Sequence, residues 1–75
     1  MQLKPIKQTV VTAITSEVLP SMGLAYLVDD DNRTWTITRQ NGGHSFDTLE
    51  PGTACELTLM HYPRFTLVDR CERLN

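Results

Sequence analysis

Apolar and polar positions alternate through most of this chain, with the two-residue period of β-strands and not the 3.6-residue period of helices. Thr9 to Ser16 is rich in Thr, Val and Ile, and Val10, Ile14 and Val18 share one parity. Leu24 to Val28 is a short apolar run, and Thr34 to Arg39 alternates strictly. Ala54 to Met60 sets Cys55, Leu57 and Leu59 against Glu56, Thr58 and Met60. Phe65 to Asp69 is predicted as the last strand, with Phe65 and Leu67 facing inward. The enrichment in β-branched residues agrees with a strand reading throughout.

Turn chemistry separates these runs. Pro20-Ser21-Met22-Gly23 ends the first strand, Asp29 to Arg33 closes a hairpin, and Asn41-Gly42-Gly43 opens a loop. Glu50-Pro51-Gly52-Thr53 is a Pro-Gly turn, and Tyr62-Pro63-Arg64 closes a second hairpin. Only Ser45 to Leu49 is predicted to hold a helical turn, with Ser45 as its cap. The chain is therefore read as all-β, with about five short strands. Such a chain removes its exposed edges by closing into a small antiparallel barrel. The five-stranded OB barrel fits best, with Gln40 to Thr53 connecting strands three and four; an SH3-like barrel is the alternative. Parity puts Ala25, Leu27, Trp35 and Ile37 inside, with Trp35 as the central aromatic of the core. Leu24, Tyr26, Val28 and a ladder of Thr34, Thr36 and Thr38 fall outside.

Length and charge narrow this picture. Seventy-five residues make one domain, 1–75, with a small core. Seven basic against nine acidic residues give a net charge of −2, where a non-specific nucleic-acid binder carries a basic excess. Three of the acids sit in one turn, so a local basic patch stays open. No signal-peptide pattern and no membrane-length apolar run is present, and a cytoplasmic protein without membrane contact is expected. A three-residue turn at Tyr62 to Arg64 predicts Cys55 opposite Cys71, Leu59 opposite Leu67 and, unless a bulge intervenes, Leu57 opposite Asp69. Both cysteines are read as core fillers, with a disulfide left open.

Motifs for chemistry are few. Asp29-Asp30-Asp31-Asn32 lacks the ligand spacing, central Gly and terminal Glu of a calcium loop, and reads as a solvated turn. Gly43-His44-Ser45-Phe46-Asp47 echoes a nucleophile elbow without its final Gly, in a chain too short for the hydrolase fold. Two histidines and two cysteines show no zinc spacing. No catalytic residue, metal or cofactor is expected. His61 reads as a strand-end histidine satisfied by backbone, while His44, on a glycine-rich loop, is placed to contact phosphate or a partner. Arg33 and Arg39 flank strand three and Arg64 lies on the last hairpin loop. These three are the expected phosphate contacts, with Arg70 and Arg73 as solubilising charge.

The chain resembles a cold-shock domain over most of residues 8–74. Gly23-Leu24-Ala25-Tyr26-Leu27 stands where that family has G-F-G-F-I, and Asp29-Asp30-Asp31-Asn32 stands at its polar turn. Leu49-Glu50-Pro51-Gly52-Thr53-Ala54-Cys55-Glu56-Leu57 is similar to the approach to its fourth strand, and Val68 to Leu74 to its closing strand. The resemblance implies an OB barrel that stacks bases on outward rings, each worth about 1–3 kcal/mol. Carried over by position, the first ring is Leu24, the second is Tyr26, and a Phe and a His are replaced by Thr36 and Thr38. Weak or transient binding of single-stranded nucleic acid is the expectation. Leu24, Tyr26, Thr36 and Thr38 would meet bases, and Arg33, Arg39, His44 and Arg64 the backbone. The negative charge, the missing rings and the outward Leu24, Val28 and Met60 support a second expectation, a regulatory or accessory module whose β-face or last hairpin docks a protein.

Overall fold

The computed structural model describes residues 4–74. In chain order it contains β1 (Lys7–Leu19), β2 (Leu24–Asp29), β3 (Thr34–Thr38), α1 (Arg39–Phe46), β4 (Ala54–His61) and β5 (Thr66–Arg73). The strands form one antiparallel sheet in the order β3-β2-β1-β4-β5. The all-β, five-stranded expectation holds: the sheet curls into a half-barrel compatible with a small OB-like barrel.

β1 explains the curl. Its first half, Lys7 to Ile14, pairs with β4, and its second half, Ala13 to Leu19, pairs with β2. Two meanders thus share one long strand and overlap on it only at Ala13 and Ile14. A bulge between Thr15 and Glu17 leaves Ser16 unpaired just beyond that overlap. The extra residue bends the strand and raises its twist. It also breaks the expected common parity: Val10 and Ile14 point to solvent, while Val18 turns toward the core.

The last hairpin departs from its expected register in two steps: its loop takes four residues, Tyr62 to Phe65, in place of three, and a second bulge follows in β5. Leu57 pairs with Cys71, Leu59 with Val68 and Met60 with Leu67, with a shift between Thr58 and Leu59 that leaves Asp69 unpaired. The bulge removes the Leu57–Asp69 clash and places Cys55 opposite Arg73. Val68 takes the inward place, so Leu67 is 51% exposed and Phe65 44% exposed, against the expectation that both face inward. Both cysteines are buried free thiols, as core fillers should be.

The helix also differs from expectation. It begins at Arg39, and Thr38 is its cap in place of Ser45. Thr38 Oγ1 accepts from the Asn41 N–H at 3.3 Å, and Asn41 Oδ1 accepts from the Thr38 N–H at 2.7 Å, which makes a reciprocal capping box. Gly42 is needed for packing, because a Cβ there would lie 2.9 Å from Phe46 Cβ. Gly43 breaks the helix with φ 55° and ψ −137°, a conformation costly for other residues.

The core centres on fully buried Leu27, Ile37, Leu57 and Cys55. Each buried aliphatic side chain contributes roughly 1.5–3 kcal/mol. Its aromatic is Phe46, delivered by α1, in place of the half-buried Trp35. β3 and β5 share no hydrogen-bonded ladder, and α1 packs against both across that opening. The Asn41 amide spans it: its oxygen accepts from Thr38 and its Nδ2 donates to the Val68 carbonyl at 3.2 Å.

Candidate interaction surface

The β2–β3 hairpin is organised around Asp29. Its Oδ1 accepts from the Asp31 and Arg33 N–H groups at 2.9 and 3.0 Å, and its Oδ2 accepts from Trp35 Nε1 at 2.8 Å. The indole N–H and then the Arg33 N–H hold its carboxyl below the ordinary 3.8. The turn is therefore solvated from Asp30 to Arg33, while Asp29 is buried. On the outer face Leu24, Tyr26 and Val28 are half-buried, and Thr34 and Thr36 are exposed. Thr38 is occupied as the helix cap, and Glu17 of β1 stands opposite Tyr26 in register.

The four expected phosphate contacts do not converge. Arg33 is exposed at the tip of the β2–β3 turn, and Arg39 lies at the opposite end of that hairpin. Arg39 is engaged there, paired with Asp47, donating to the Pro20 carbonyl at 3.0 Å, and 4.8 Å from the centre of the Phe46 ring. His44 is exposed on α1 beyond the Gly43 kink, and Arg64 is exposed in the β4–β5 turn. Ser45 Oγ accepts from the Arg73 N–H at 3.3 Å, a structural task unlike that of a nucleophile. Burial and the neighbouring Cys55 thiol push the Cys71 thiol up to about 12, which keeps it protonated and inert. Among the described residues no cluster of metal-ligating side chains occurs.

The β4–β5 end has a different chemistry. His61 is held by side chains in place of the expected backbone partners, with Nε2 at 2.6 Å from Thr9 Oγ1 and Nδ1 at 3.1 Å from Thr66 Oγ1. A neutral imidazole offers one donor and one acceptor, and two hydroxyls satisfy either tautomer. Tyr62 and Phe65 stack across the turn with centroids 4.8 Å apart, and the Tyr62 N–H donates to the Phe65 carbonyl at 2.8 Å. The Ile6 N–H donates to the His61 carbonyl at 2.6 Å and holds the leading segment against the hairpin. Residues 4–16 and 57–68 contain no Asp or Glu, yet hold Lys4, Lys7 and Arg64. That end carries +3; the remaining four basic and nine acidic residues leave −5 elsewhere.

Beside this end lies an apolar outer face of which the sequence showed Met60 but not Val10 or Leu67. Val10 is 53% exposed and Leu67 51%, with Met60 half-buried between them. Register sets Leu67 directly beside Met60 and Gln8 on its other side, with Val10, opposite Thr58, on the diagonal. Leu67 turns outward because the hairpin loop takes four residues in place of three, a length the chain does not mark.

Comparison with protein-family models, curated proteins and solved structures returned no match. Among the described residues no helix is long and apolar enough to cross a membrane.

Proposed function

We propose that this chain is a small non-catalytic interaction module that docks a protein on the outer face of its sheet. The observation that supports this reading is the exposed apolar set Val10, Met60 and Leu67 on regular, hydrogen-bonded strands. Exposed aliphatics on a rigid sheet present contact area at little ordering cost, which suits protein association. The dispersal of Arg33, Arg39, His44 and Arg64 counts in the same direction, because phosphate binding gains affinity from cations that act together. A photo-crosslinking residue at position 67 in cells is expected to give protein adducts that survive nuclease. Adducts that disappear on nuclease treatment would overturn the reading.

A second reading, weak binding of single-stranded nucleic acid, is favoured by the acid-free end with its stacked Tyr62 and Phe65. Lys4, Lys7 and Arg64 would meet phosphates there, and the free face of Phe65 a base, in place of Tyr26. With three phosphate contacts the salt slope would be about −2. Titration of a short single strand at low salt tests it. Binding lost in Phe65→Ala and kept in Tyr26→Ala supports this site, and no binding at low salt removes it.

A further inference from the structure

We propose that the protein docked on the β1–β4–β5 outer face is a second copy of this chain, related by a two-fold axis that lies in the plane of the sheet and crosses the strands at Met60. The inference rests on the docking reading above and names its partner. A two-fold interface must be self-complementary: whatever lies on one side of the axis must attract what lies on the other. Met60 stands midway between Glu56 and Arg64, four residues from each. Glu56 shares the outward parity of Met60 along β4 and is exposed, and Arg64 is exposed in the turn beyond it. At about 3.3 Å per residue Glu56 lies roughly 13 Å from Met60 along the strand. A half-turn about Met60 carries Arg64 toward the partner copy's Glu56 and the reverse.

The other contacts follow from the same operation. Leu67, level with Met60 on β5, meets its own counterpart, and Val10, two residues from that level on β1, is carried toward the partner copy's exposed Ile6 on the other side of it. Glu72, which also pairs with Arg70 at 3.4 Å, stands beside Glu56 in register and is carried toward the same partner turn that holds Arg64. Among the described residues Lys4, Lys7 and Arg64 have no acidic partner within the chain. The contact of Arg64 with the partner copy's Glu56 thereby forms twice, once on each side of the axis. The body measures 36 × 25 × 19 Å, and its broad face is large enough for the roughly 800 Å² per partner of a standard interface.

Sedimentation equilibrium of the full chain at low and high salt tests the proposal. A reversible dimer is expected, at least tenfold weaker at high salt because the outer ion pairs are screened. Arg64→Glu and Glu56→Lys should each weaken it tenfold or more. Mixing the two variants should restore association to near the unsubstituted level, since each copy then meets an opposite charge at both contacts. Circular dichroism of each variant checks that it remains folded, and the mixing result cannot arise from unfolding. A chain that stays monomeric at millimolar concentration at low salt, or two variants that do not rescue one another, would overturn the proposal. If nuclease-resistant adducts at position 67 then have the mass of another protein, the docking reading stands and only the second copy is lost.

Discussion

The two hairpins solve the same problem with opposite chemistry. Each must reverse the chain and hold two short strands in register at the rim of a small sheet. β2–β3 does so with one buried acceptor: Asp29 collects two backbone N–H groups and the Trp35 indole. The β4–β5 turn, from Leu57 to Val68, has no acid and uses surfaces instead, a stacked pair of rings across it and a histidine held between two threonines. A carboxylate that is fully engaged inside its turn has little left to offer a partner. Rings and aliphatics that brace a turn from outside remain available to bind. The comparison explains why the hairpin carrying the cold-shock-like motif is the less equipped of the two for contact.

The comparison predicts unequal sensitivity to single changes, greatest at Asp29. Asp29→Ala should lower the melting temperature more than alanine at Asn41 or Phe65, because three donors lose their acceptor together. The charge adds a pH signature. The folded carboxyl titrates below its ordinary 3.8, so the unfolded chain takes up this proton first as pH falls. Its contribution is complete above the unfolded value and is lost as pH drops through the folded one. Thermal melts between pH 6 and pH 2 should show stability falling below about pH 4. In Asp29→Asn that part of the slope should be absent, and an unchanged slope would remove Asp29 as its source.

Next in size is the link between the two hairpins. Asn41 is the side chain whose hydrogen bonds join the end of β3 to β5 across an opening with no ladder. Asn41→Ala leaves the Thr38 N–H and the Val68 carbonyl to find water and removes half of the capping box. About 1–3 kcal/mol of destabilisation is expected from denaturant unfolding. Hydrogen exchange should quicken in α1 and at the β3 end, while the β1–β4 ladder stays protected. Uniform acceleration through both meanders would show that the hairpins are not separately stabilised.

What was legible in the chain follows the same division. Strands with strict alternation, such as Thr34 to Thr38 and Ala54 to Met60, were read because period two survives wherever one face is buried. The bulge at Ser16, which turns Val18 inward, was not, and the one at Asp69 stayed open. The four-residue loop that turns Leu67 outward and Val68 inward reads as three in the chain. Neither leaves a compositional mark, so of the surface assigned to docking only Met60 was legible before register was known. The helix was missed because Gly42 and Gly43 cost helical propensity, while the reason for Gly42, its contact with Phe46, is tertiary. The outward Leu24, Tyr26 and Thr36 were placed correctly, but the engagement of Thr38 and Arg39 depended on Asn41 and Asp47. Local pattern reveals which residues face out, and only packing reveals which of those are free.

The smallest effects belong to the β4–β5 hairpin, where they discriminate between bracing and binding. Phe65→Ala removes one ring of an exposed stack, and about 0.5–1.5 kcal/mol is expected from its loss. Thr66→Val should cost less, about 0.5 kcal/mol, the low end for a neutral hydrogen bond, because His61 keeps the shorter of its two hydroxyl contacts, to Thr9. If the hairpin existed only to be stable, the two variants would rank by their melting temperatures in every assay. If its surface is used for contact, Phe65→Ala and Leu67→Asp should weaken association well beyond their effect on stability, while Thr66→Val leaves association unchanged. Melts and sedimentation run on the same three proteins make that separation. Association that merely tracked stability across the set would return this hairpin to the role Asp29 gives the other one, a turn that holds strands together and nothing more.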